Sequence, residues 1–220
     1  MARHPRIILL GLPGSGKGTQ GALISHAFGV PVFSSGEYFR SLRREGKLPL
    51  EIVAKINAGG LVSDEDVNKV VVESFLSTRQ AQVGFVLDGY PRTVAQAAFL
   101  DEYLTKQNLH LDATILVDLP AEIAIRRISG RRVCPVDGSV YNVYYSKPAK
   151  EGVCDQCGAS LIQREDDREE SVRIRISTYD TITKALTTYY GEQNKLVTVA
   201  GDGNPEDVFG RIREVLGDPA

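Results

Sequence analysis

The sequence reads Gly11-Leu12-Pro13-Gly14-Ser15-Gly16-Lys17-Gly18-Thr19 directly after the apolar segment Ile7-Ile8-Leu9-Leu10. The residues that follow, Gln20 to Phe28, are typical of a helix. Glycine lets the backbone bend tightly, so several N–H groups of such a turn can point at one anion. The helix directs the positive end of its dipole at the same point, and Lys17 adds a full positive charge. This order of strand, turn, lysine and helix predicts a cradle for nucleotide phosphates.

The glycine-rich turn departs from the usual phosphate-loop pattern at one position. Gly11, Gly16 and Lys17 have the expected spacing, but Gly18 stands where serine or threonine is usual, and Thr19 supplies a hydroxyl one residue later. The alternative is a strand-to-helix turn that binds nothing. The flanking elements and the lysine favour the nucleotide-binding interpretation.

Length and composition restrict the class of protein. The 220 residues, of which 42% are apolar, are enough for one globular core with small insertions. The formal net charge of −2 gives no overall attraction to nucleic acid or to an anionic membrane, so we expect neither as a partner. No apolar run approaches a membrane span, and the residues before Gly11 are too few for a signal peptide. We therefore expect a cytoplasmic protein.

Short apolar runs alternate with longer helical patterns along the chain. The predicted strands are Arg6–Leu10, Val30–Phe33, Gly84–Leu87, Ala113–Asp118 and Lys195–Val199, and the predicted helices lie near 18–28, 36–45, 64–80, 94–107, 121–129, 168–190 and 205–216. Ser34 with Glu37 and Thr93 with Gln96 have capping-box spacing, and Asn204 precedes a proline suited to the first helical position. Continuously apolar strands between helices predict an α/β fold: a doubly wound parallel sheet of about five strands, covered on both faces.

A second candidate site follows the third predicted strand, in the run Leu87-Asp88-Gly89-Tyr90-Pro91-Arg92-Thr93. In a parallel sheet this run and the glycine-rich turn leave the same edge, where ligands bind. A carboxylate beside a phosphate loop is well placed to hold hydrated Mg²⁺, and Arg92 could contact a phosphate. The alternative is an ordinary turn followed by a helix that Thr93 caps.

Three cysteines and an aspartate form a third constellation. Two residues separate Cys134 from Asp137, sixteen residues follow, and two residues separate Cys154 from Cys157. Two such knuckles are typical of a tetrahedral Zn²⁺ site, here with one thiolate replaced by a carboxylate, which zinc accepts. The alternatives are a Cys154–Cys157 disulfide, which a reducing cytoplasm disfavours, and three free cysteines. A nucleic-acid-binding zinc ribbon is a further alternative, but the net charge and the acidic run 165–167 argue against it.

Motifs along nearly the whole chain resemble the adenylate kinase family. They are Gly11–Gln20, Ser34-Ser35-Gly36-Glu37 with Arg40, Gly60-Leu61-Val62-Ser63-Asp64-Glu65, Leu87–Thr93 with Gln96, Gly130-Arg131-Arg132-Val133, and Arg164-Glu165-Asp166-Asp167 running to Arg175. Their order is that of the family, and the length of the cysteine-bearing segment resembles the long-lid form typical of bacteria. The resemblance implies a monomer that transfers the terminal phosphoryl group of ATP to AMP, giving two ADP, with Mg²⁺ bound to ATP.

The resemblance also implies roles for particular residues. The ATP site would comprise Gly14, Ser15, Gly16, Lys17, Gly18, Thr19, Arg127, Arg131, Val140, Tyr141 and Asn204. The AMP site would comprise Ser35, Arg40, Gly60, Leu61, Val62, Gly89, Tyr90, Arg92, Gln96, Arg164 and Arg175. Catalysis would depend on Lys17, Arg92, Arg127, Arg131, Arg164 and Arg175, with Asp88 positioning Mg²⁺ through water. Zinc would be structural, held by Cys134, Asp137, Cys154 and Cys157.

The resemblance implies three domains. Residues 1–33, 63–129 and 168–220 would be the core, 34–62 an inserted AMP-binding domain, and 130–167 the lid. Arg127 and Arg131 are four residues apart, so they would share a helix face if the helix continued through Gly130.

Other nucleotide-binding functions are the alternatives. Ser35 favours AMP as acceptor, because the related UMP/CMP kinases typically have a small apolar residue there, and the long lid also argues against them. A GTP:AMP phosphotransferase stays open. A nucleotide-binding switch such as a small GTPase needs Asn-Lys-x-Asp, but Asn68-Lys69-Val70-Val71 and Asn194-Lys195-Leu196-Val197 both lack the aspartate.

Overall fold

The computed structural model describes residues 4–57 and 61–217. Its strands are β1 Arg6–Leu10, β2 Val32–Ser34, β3 Phe85–Asp88, β4 Ala113–Asp118, β5 Arg131–Val133, β6 Val140–Asn142 and β7 Leu196–Ala200. Five of them form a sheet in the order β2-β3-β1-β4-β7, and all neighbouring pairs are parallel. The predicted five-stranded parallel sheet is confirmed, with strand ends within two residues of the expected positions.

The sheet is buried on both faces because most side chains of its central strands are apolar. Ile7, Ile8, Leu9 and Leu10 are each at most 3% exposed. Alternate side chains point to opposite faces, so Ile7 and Leu9 belong to one hydrophobic cluster and Ile8 and Leu10 to another. These two layers hold the carboxyl ends of β1 and β3 side by side, with Leu9 opposite Asp88.

Helices cover both faces of the sheet. They are α1 Lys17–Phe28, α2 Ser35–Arg44, α3 Leu50–Asn57, α4 Asp64–Val71, α5 Arg79–Val83, α6 Val94–Lys106, α7 Ala121–Ser129, α8 Glu169–Thr178, α9 Ala185–Glu192 and α10 Pro205–Leu216. Two long predicted helices are interrupted, since π-helical turns at Val72–Leu76 and Tyr179–Thr183 divide them. The sequence analysis missed α3, a helix of only eight residues, because apolar spacing over so short a run does not distinguish a helix from a strand.

The predicted helix starts have mixed outcomes. Asn204 forms a complete capping box with Asp207, and Thr93 accepts a bond from the backbone N–H of Gln96. The capping box predicted at Ser34 is wrong, because the Ser34 hydroxyl donates to Oδ2 of Asp88 at 3.2 Å instead. Ser34 therefore links the carboxyl end of β2 to that of β3 and does not cap α2.

The cysteine-bearing segment has no α-helix between Arg131 and Arg164. Strands β5 and β6 pair antiparallel, and single bridges join Val133 to Ile162 and Val153 to Ser160. A short 3-10 turn at Glu165–Asp167 leads into α8. Within residues 4–57 and 61–217, no helix is long and apolar enough to cross a membrane.

Candidate active site

The glycine-rich turn joins β1 to α1 and adopts a backbone that needs glycine. Gly11, Gly14 and Gly16 have φ values of 140°, 89° and 98°. A Cβ atom on Gly14 would lie 2.4 Å from the carbonyl oxygen of Ala124 in α7, a backbone atom with little freedom to move. The phosphate loop is thus packed tightly against the helix that leads towards the cysteine-bearing segment.

Lys17 starts α1 and folds back over the phosphate loop. Its Nζ donates to the carbonyl oxygens of Gly11 at 2.6 Å and Leu12 at 2.8 Å. Burial lowers the pKa of Lys17 to about 8; the Asp88 carboxylate opposes this shift, and Arg92 adds to it. The ammonium is therefore largely charged at neutral pH, and carbonyl groups of its own loop stabilise it until an anion replaces them.

One cavity of about 1060 Å³ lies over the carboxyl ends of β1 and β3 and joins most of the predicted sites. Its wall includes every predicted ATP-site residue: Gly14, Ser15, Gly16, Lys17, Gly18, Thr19, Arg127, Arg131, Val140, Tyr141 and Asn204. It also includes Asp88 and the predicted AMP-site residues Ser35, Arg40, Leu61, Val62, Gly89, Arg92, Gln96, Arg164 and Arg175.

Two predicted AMP-site residues are not placed in this cavity. Gly60 lies outside the described residues. Tyr90 is fully buried in the hydrophobic core, and its hydroxyl donates to Oδ1 of Asn68 at 2.7 Å. Among the described residues, Tyr90 therefore contacts the core between β3 and α4 rather than the cavity.

Arginines from several elements converge in the middle of the cavity. Burial, together with the charge of Arg175, lowers the pKa of Arg92 to about 10. Burial and the charges of Arg40 and Arg131 lower the pKa of Arg164 to about 10. Burial is the main cause of both pKa shifts, and neighbouring guanidinium charges add to it although carboxylates nearby oppose them. Several positive charges thus stand close together in the cavity, as the binding of phosphate groups requires.

One buried carboxylate, Asp167, organises two of these arginines. Its oxygens accept bonds from Nε and Nη2 of Arg131 at 2.8 and 2.6 Å, and Arg175 lies 3.4 Å away. Burial alone would lower the pKa of Arg131, but the hydrogen bonds and charge of Asp167 outweigh it, so this pKa is raised. Asp167 is fully buried and holds both guanidinium groups in fixed positions.

The end of the cavity near β7 is built from Arg127, Tyr145 and the segment before α10. Arg127 donates to the carbonyl oxygen of Gly201 at 2.9 Å, and its guanidinium lies 5.9 Å from the centroid of the Tyr145 ring. Helix α7 ends at Ser129 and does not continue through Gly130, so the condition under which Arg127 and Arg131 would share a helix face is not met. Arg131 begins β5 and enters the same cavity from the following strand.

The opposite end of the cavity contains Ser35, Gln96 and the apolar pair Leu61 and Val62. The Ser35 hydroxyl donates to the carbonyl oxygen of Gly89 at 2.6 Å, which ties α2 to the loop after β3. Gln96 is 2% exposed and lies in the first turn of α6. A buried amide beside apolar groups is suited to reading the edge of a planar base.

The four residues of the cysteine cluster lie together at the far end of the β5–β6 hairpin. Their ligand atoms are all within 4.8 Å of one another. Sγ of Cys134 is 3.4 Å from Sγ of Cys157, and Sγ of Cys154 is 3.2 Å from Oδ2 of Asp137. Around tetrahedral zinc such atoms are about 3.8 Å apart or slightly less. All three cysteines are free, so the cluster fits a metal site and not a disulfide.

Four carboxylates that contact residues of the cavity had no predicted role there. Asp167 orients Arg131, and Asp166 accepts from Arg175 at 3.2 Å. Glu37 accepts from Arg40 at 3.0 Å and lies 3.7 Å from Arg164, and Asp64 accepts from Gln96. All four stand in the motifs quoted above, but local sequence carries no signal for which carboxylate will meet which distant donor.

Comparison with known proteins agrees with this arrangement. A family model described as adenylate kinase matches residues 9–195. The adenylate kinase of Thermoanaerobacter pseudethanolicus is 47% identical over 217 residues, which cover 97% of this chain and 98% of the relative. Those of Clostridium botulinum and Anaeromyxobacter dehalogenans are 44% and 43% identical, each over 96% of this chain and at least 98% of the relative. The chain belongs to the adenylate kinase family.

Proposed function

We propose that this chain catalyses the reversible, Mg²⁺-dependent transfer of a phosphoryl group from ATP to AMP, giving two ADP. The observation that carries this proposal is the single cavity that joins a phosphate loop to a second, base-sized pocket through a group of arginines. A nucleotide-binding switch needs one nucleotide site, whereas a transfer between two nucleotides needs two sites that face each other.

The reaction needs alignment and charge neutralisation more than covalent help from the protein. In our proposal the phosphate loop and Lys17 bind the ATP phosphates, and Arg127, Val140, Tyr141 and Asn204 surround the rest of ATP. Arg131 and Arg175, which Asp167 holds in place, face the transferred group. Arg92, Arg164 and Arg40 bind the phosphate of AMP. Preorganised positive charges of this kind stabilise the extra negative charge of the transition state without further reorganisation.

The acceptor base would lie against Leu61 and Val62, with Gln96 and Ser35 at its polar edge. Mg²⁺ arrives with ATP and neutralises phosphate charge, and Asp88 would position it through water. The carboxylate of Asp88 suits this role because it is a hard oxygen ligand in the cavity wall beside the start of α1.

We propose further that residues 34–62 form the AMP-binding domain, 130–167 the lid and the remainder the core, and that zinc clamps the lid structurally. Closure of the two inserted domains would exclude water, which would otherwise hydrolyse the transferred group. The enzyme would work in the cytoplasm, since cysteines without a disulfide suit a reducing compartment. It would work as a monomer, as the family resemblance implies.

A coupled assay for ADP tests the proposal. ATP with AMP should be turned over, whereas ATP with UMP or CMP should react far more slowly, and GTP with AMP tests the alternative donor. Lys17→Ala should lower kcat at least about a hundredfold, because the charge on the outer phosphates is lost. Lys106→Ala is the matched control, since Lys106 is an exposed lysine of α6 whose ion pair, among the described residues, is with the exposed Glu102. Absence of ADP formation by the unaltered protein would refute the proposal.

A further inference from the structure

The side-chain amide of Gln96 is held between two neighbours that accept only one orientation. Nε2 donates to Oδ1 of Asp64 at 2.8 Å, and Oε1 accepts from the backbone N–H of Arg92 at 2.7 Å. A carboxylate offers only acceptors and a backbone N–H only a donor. Turning the amide over would place oxygen against oxygen and N–H against N–H. Gln96 is thus fixed in one of its two orientations.

Asp64 is fixed in turn by a second bond. Its Oδ2 accepts from the Thr93 hydroxyl at 2.9 Å, and the same hydroxyl accepts from the backbone N–H of Gln96 at 3.1 Å. Asp64 is the first residue of α4 and follows directly after Leu61-Val62-Ser63. One carboxylate therefore connects the apolar wall of the base pocket to the first turn of α6. Asp64 does not line the cavity itself, so it acts on a ligand through Gln96.

The orientation of this amide matters because of what it leaves free. After its two internal bonds, Gln96 has one N–H and one carbonyl lone pair left, and Gln96 lines the cavity. A 6-aminopurine presents an acceptor at N1 beside a donor at its amino group. A 6-oxopurine presents the opposite order, a donor at N1 beside an acceptor at O6. An amide that can turn over pairs with either edge, whereas a fixed amide pairs with one.

We propose that Asp64 is the specificity-determining positioning residue of the acceptor site. By locking the Gln96 amide, it selects a 6-aminopurine nucleoside monophosphate and rejects its 6-oxopurine counterpart. This inference rests on the proposed function only for the location of the acceptor pocket. Rejection arises because the wrong base leaves two buried polar groups unpaired, and sites that hydrogen-bond their ligand discriminate strongly for that reason.

The test is the ratio of dissociation constants for IMP and AMP, measured by titration calorimetry. Asp64→Asn replaces two acceptors by one acceptor and one donor, so this side chain no longer opposes the reversed orientation of Gln96, and only the backbone N–H of Arg92 still does. We expect the preference for AMP over IMP to fall about tenfold, because a hydrogen bond to a charged group is lost. Affinity for ATP should stay unchanged. Glu65→Gln removes a neighbouring charge from the same first turn of α4 and should leave the AMP preference as it was.

A second pair of variants separates positioning from a general structural effect. In a Gln96→Ala background, adding Asp64→Asn should leave the IMP-to-AMP ratio unchanged, because Asp64 acts only through the amide. An unchanged ratio in the single Asp64→Asn variant overturns the inference, as does an equal loss with and without Gln96. Since binding is measured apart from turnover, a protein that binds AMP selectively but forms no ADP would refute the proposed function and leave this inference standing.

Discussion

Replacing Asp167 by asparagine should destabilise the protein, because it removes a buried negative charge between two half-buried arginines. The Asp167 side chain is fully buried, and its oxygens lie 2.6 and 2.8 Å from nitrogens of Arg131 and 3.4 Å from Arg175. Removing one partner of a fully buried ion pair costs about 3–5 kcal/mol, since the remaining charge stays desolvated. The side chains of Arg131 and Arg175 keep 25% and 22% of their exposure, so we expect a smaller cost, about 2 kcal/mol. For a chain of this length each kcal/mol lowers Tm by about 2–4 °C, so Tm should fall by roughly 4–8 °C.

Thermal unfolding followed by circular dichroism at neutral pH measures this effect. The matched control is Asp202→Asn, which removes a carboxylate that is 69% exposed and 3.5 Å from Arg211. Exposed pairs of this kind contribute less than about 1 kcal/mol, so the control should unfold close to the wild-type temperature. If both variants unfolded at the same temperature, the buried charge of Asp167 would contribute no more to the free energy of unfolding than an exposed one, which would refute the prediction.

The other predictions concern the ATP site, the metal and the acceptor phosphate. Because burial lowers the pKa of Lys17 to about 8, the free enzyme loses this charge as the pH rises through that value, so kcat/KM for ATP should decline above it; a flat profile up to about pH 9.5 would contradict this. Dialysis against a chelator should release zinc and lower Tm, and Cys154→Ser should bind less zinc; unchanged metal content in that variant would exclude the site. Glu37→Gln should lower KM for AMP several-fold, because the carboxylate occupies Arg40. The control is Glu169→Gln, which breaks the exposed ion pair of Glu169 with Arg173 on α8 and should leave KM for AMP unchanged.

Much of the fold was predictable because its signals are local. Four apolar residues follow Arg6 in the first strand, and the glycines after them permit a tight turn. Ala113–Asp118 is likewise mostly apolar, so both strands matched their predicted bounds. Helix α3 was missed because it has only eight residues, and apolar spacing over so short a run does not distinguish a helix from a strand. The π-helical turn at Val72–Leu76 leaves no mark in the apolar spacing. Where an element is short or a helix only changes its hydrogen-bond register, the sequence pattern carries little information.

The candidate site was predictable residue by residue but not in its connections. Glycines and a lysine at fixed spacing indicate a phosphate loop because the backbone geometry itself needs them. The pairing of Asp167 with Arg131 joins residues 36 positions apart, and that of Asp64 with Gln96 joins residues 32 apart. Such pairs depend on how α4, α6 and the β5–β6 hairpin pack, which is decided by the core and not by the motif that contains either partner.

These connections share one arrangement that follows from the charge of the ligands. Nucleotide phosphates are anions, so the groups that meet them must be donors, and long donors such as Arg131 and Arg175 have many rotamers. Acceptors fix such donors, but a carboxylate in the cavity wall, as Glu37 and Asp166 are, also opposes the phosphates. Asp167 avoids this repulsion because it is fully buried behind the guanidinium groups, outside the cavity wall, and Asp64 stands in the same relation to Gln96. Acceptors behind donors give orientation without opposing the ligand, which is why losing either carboxylate should impair binding although neither lines the cavity.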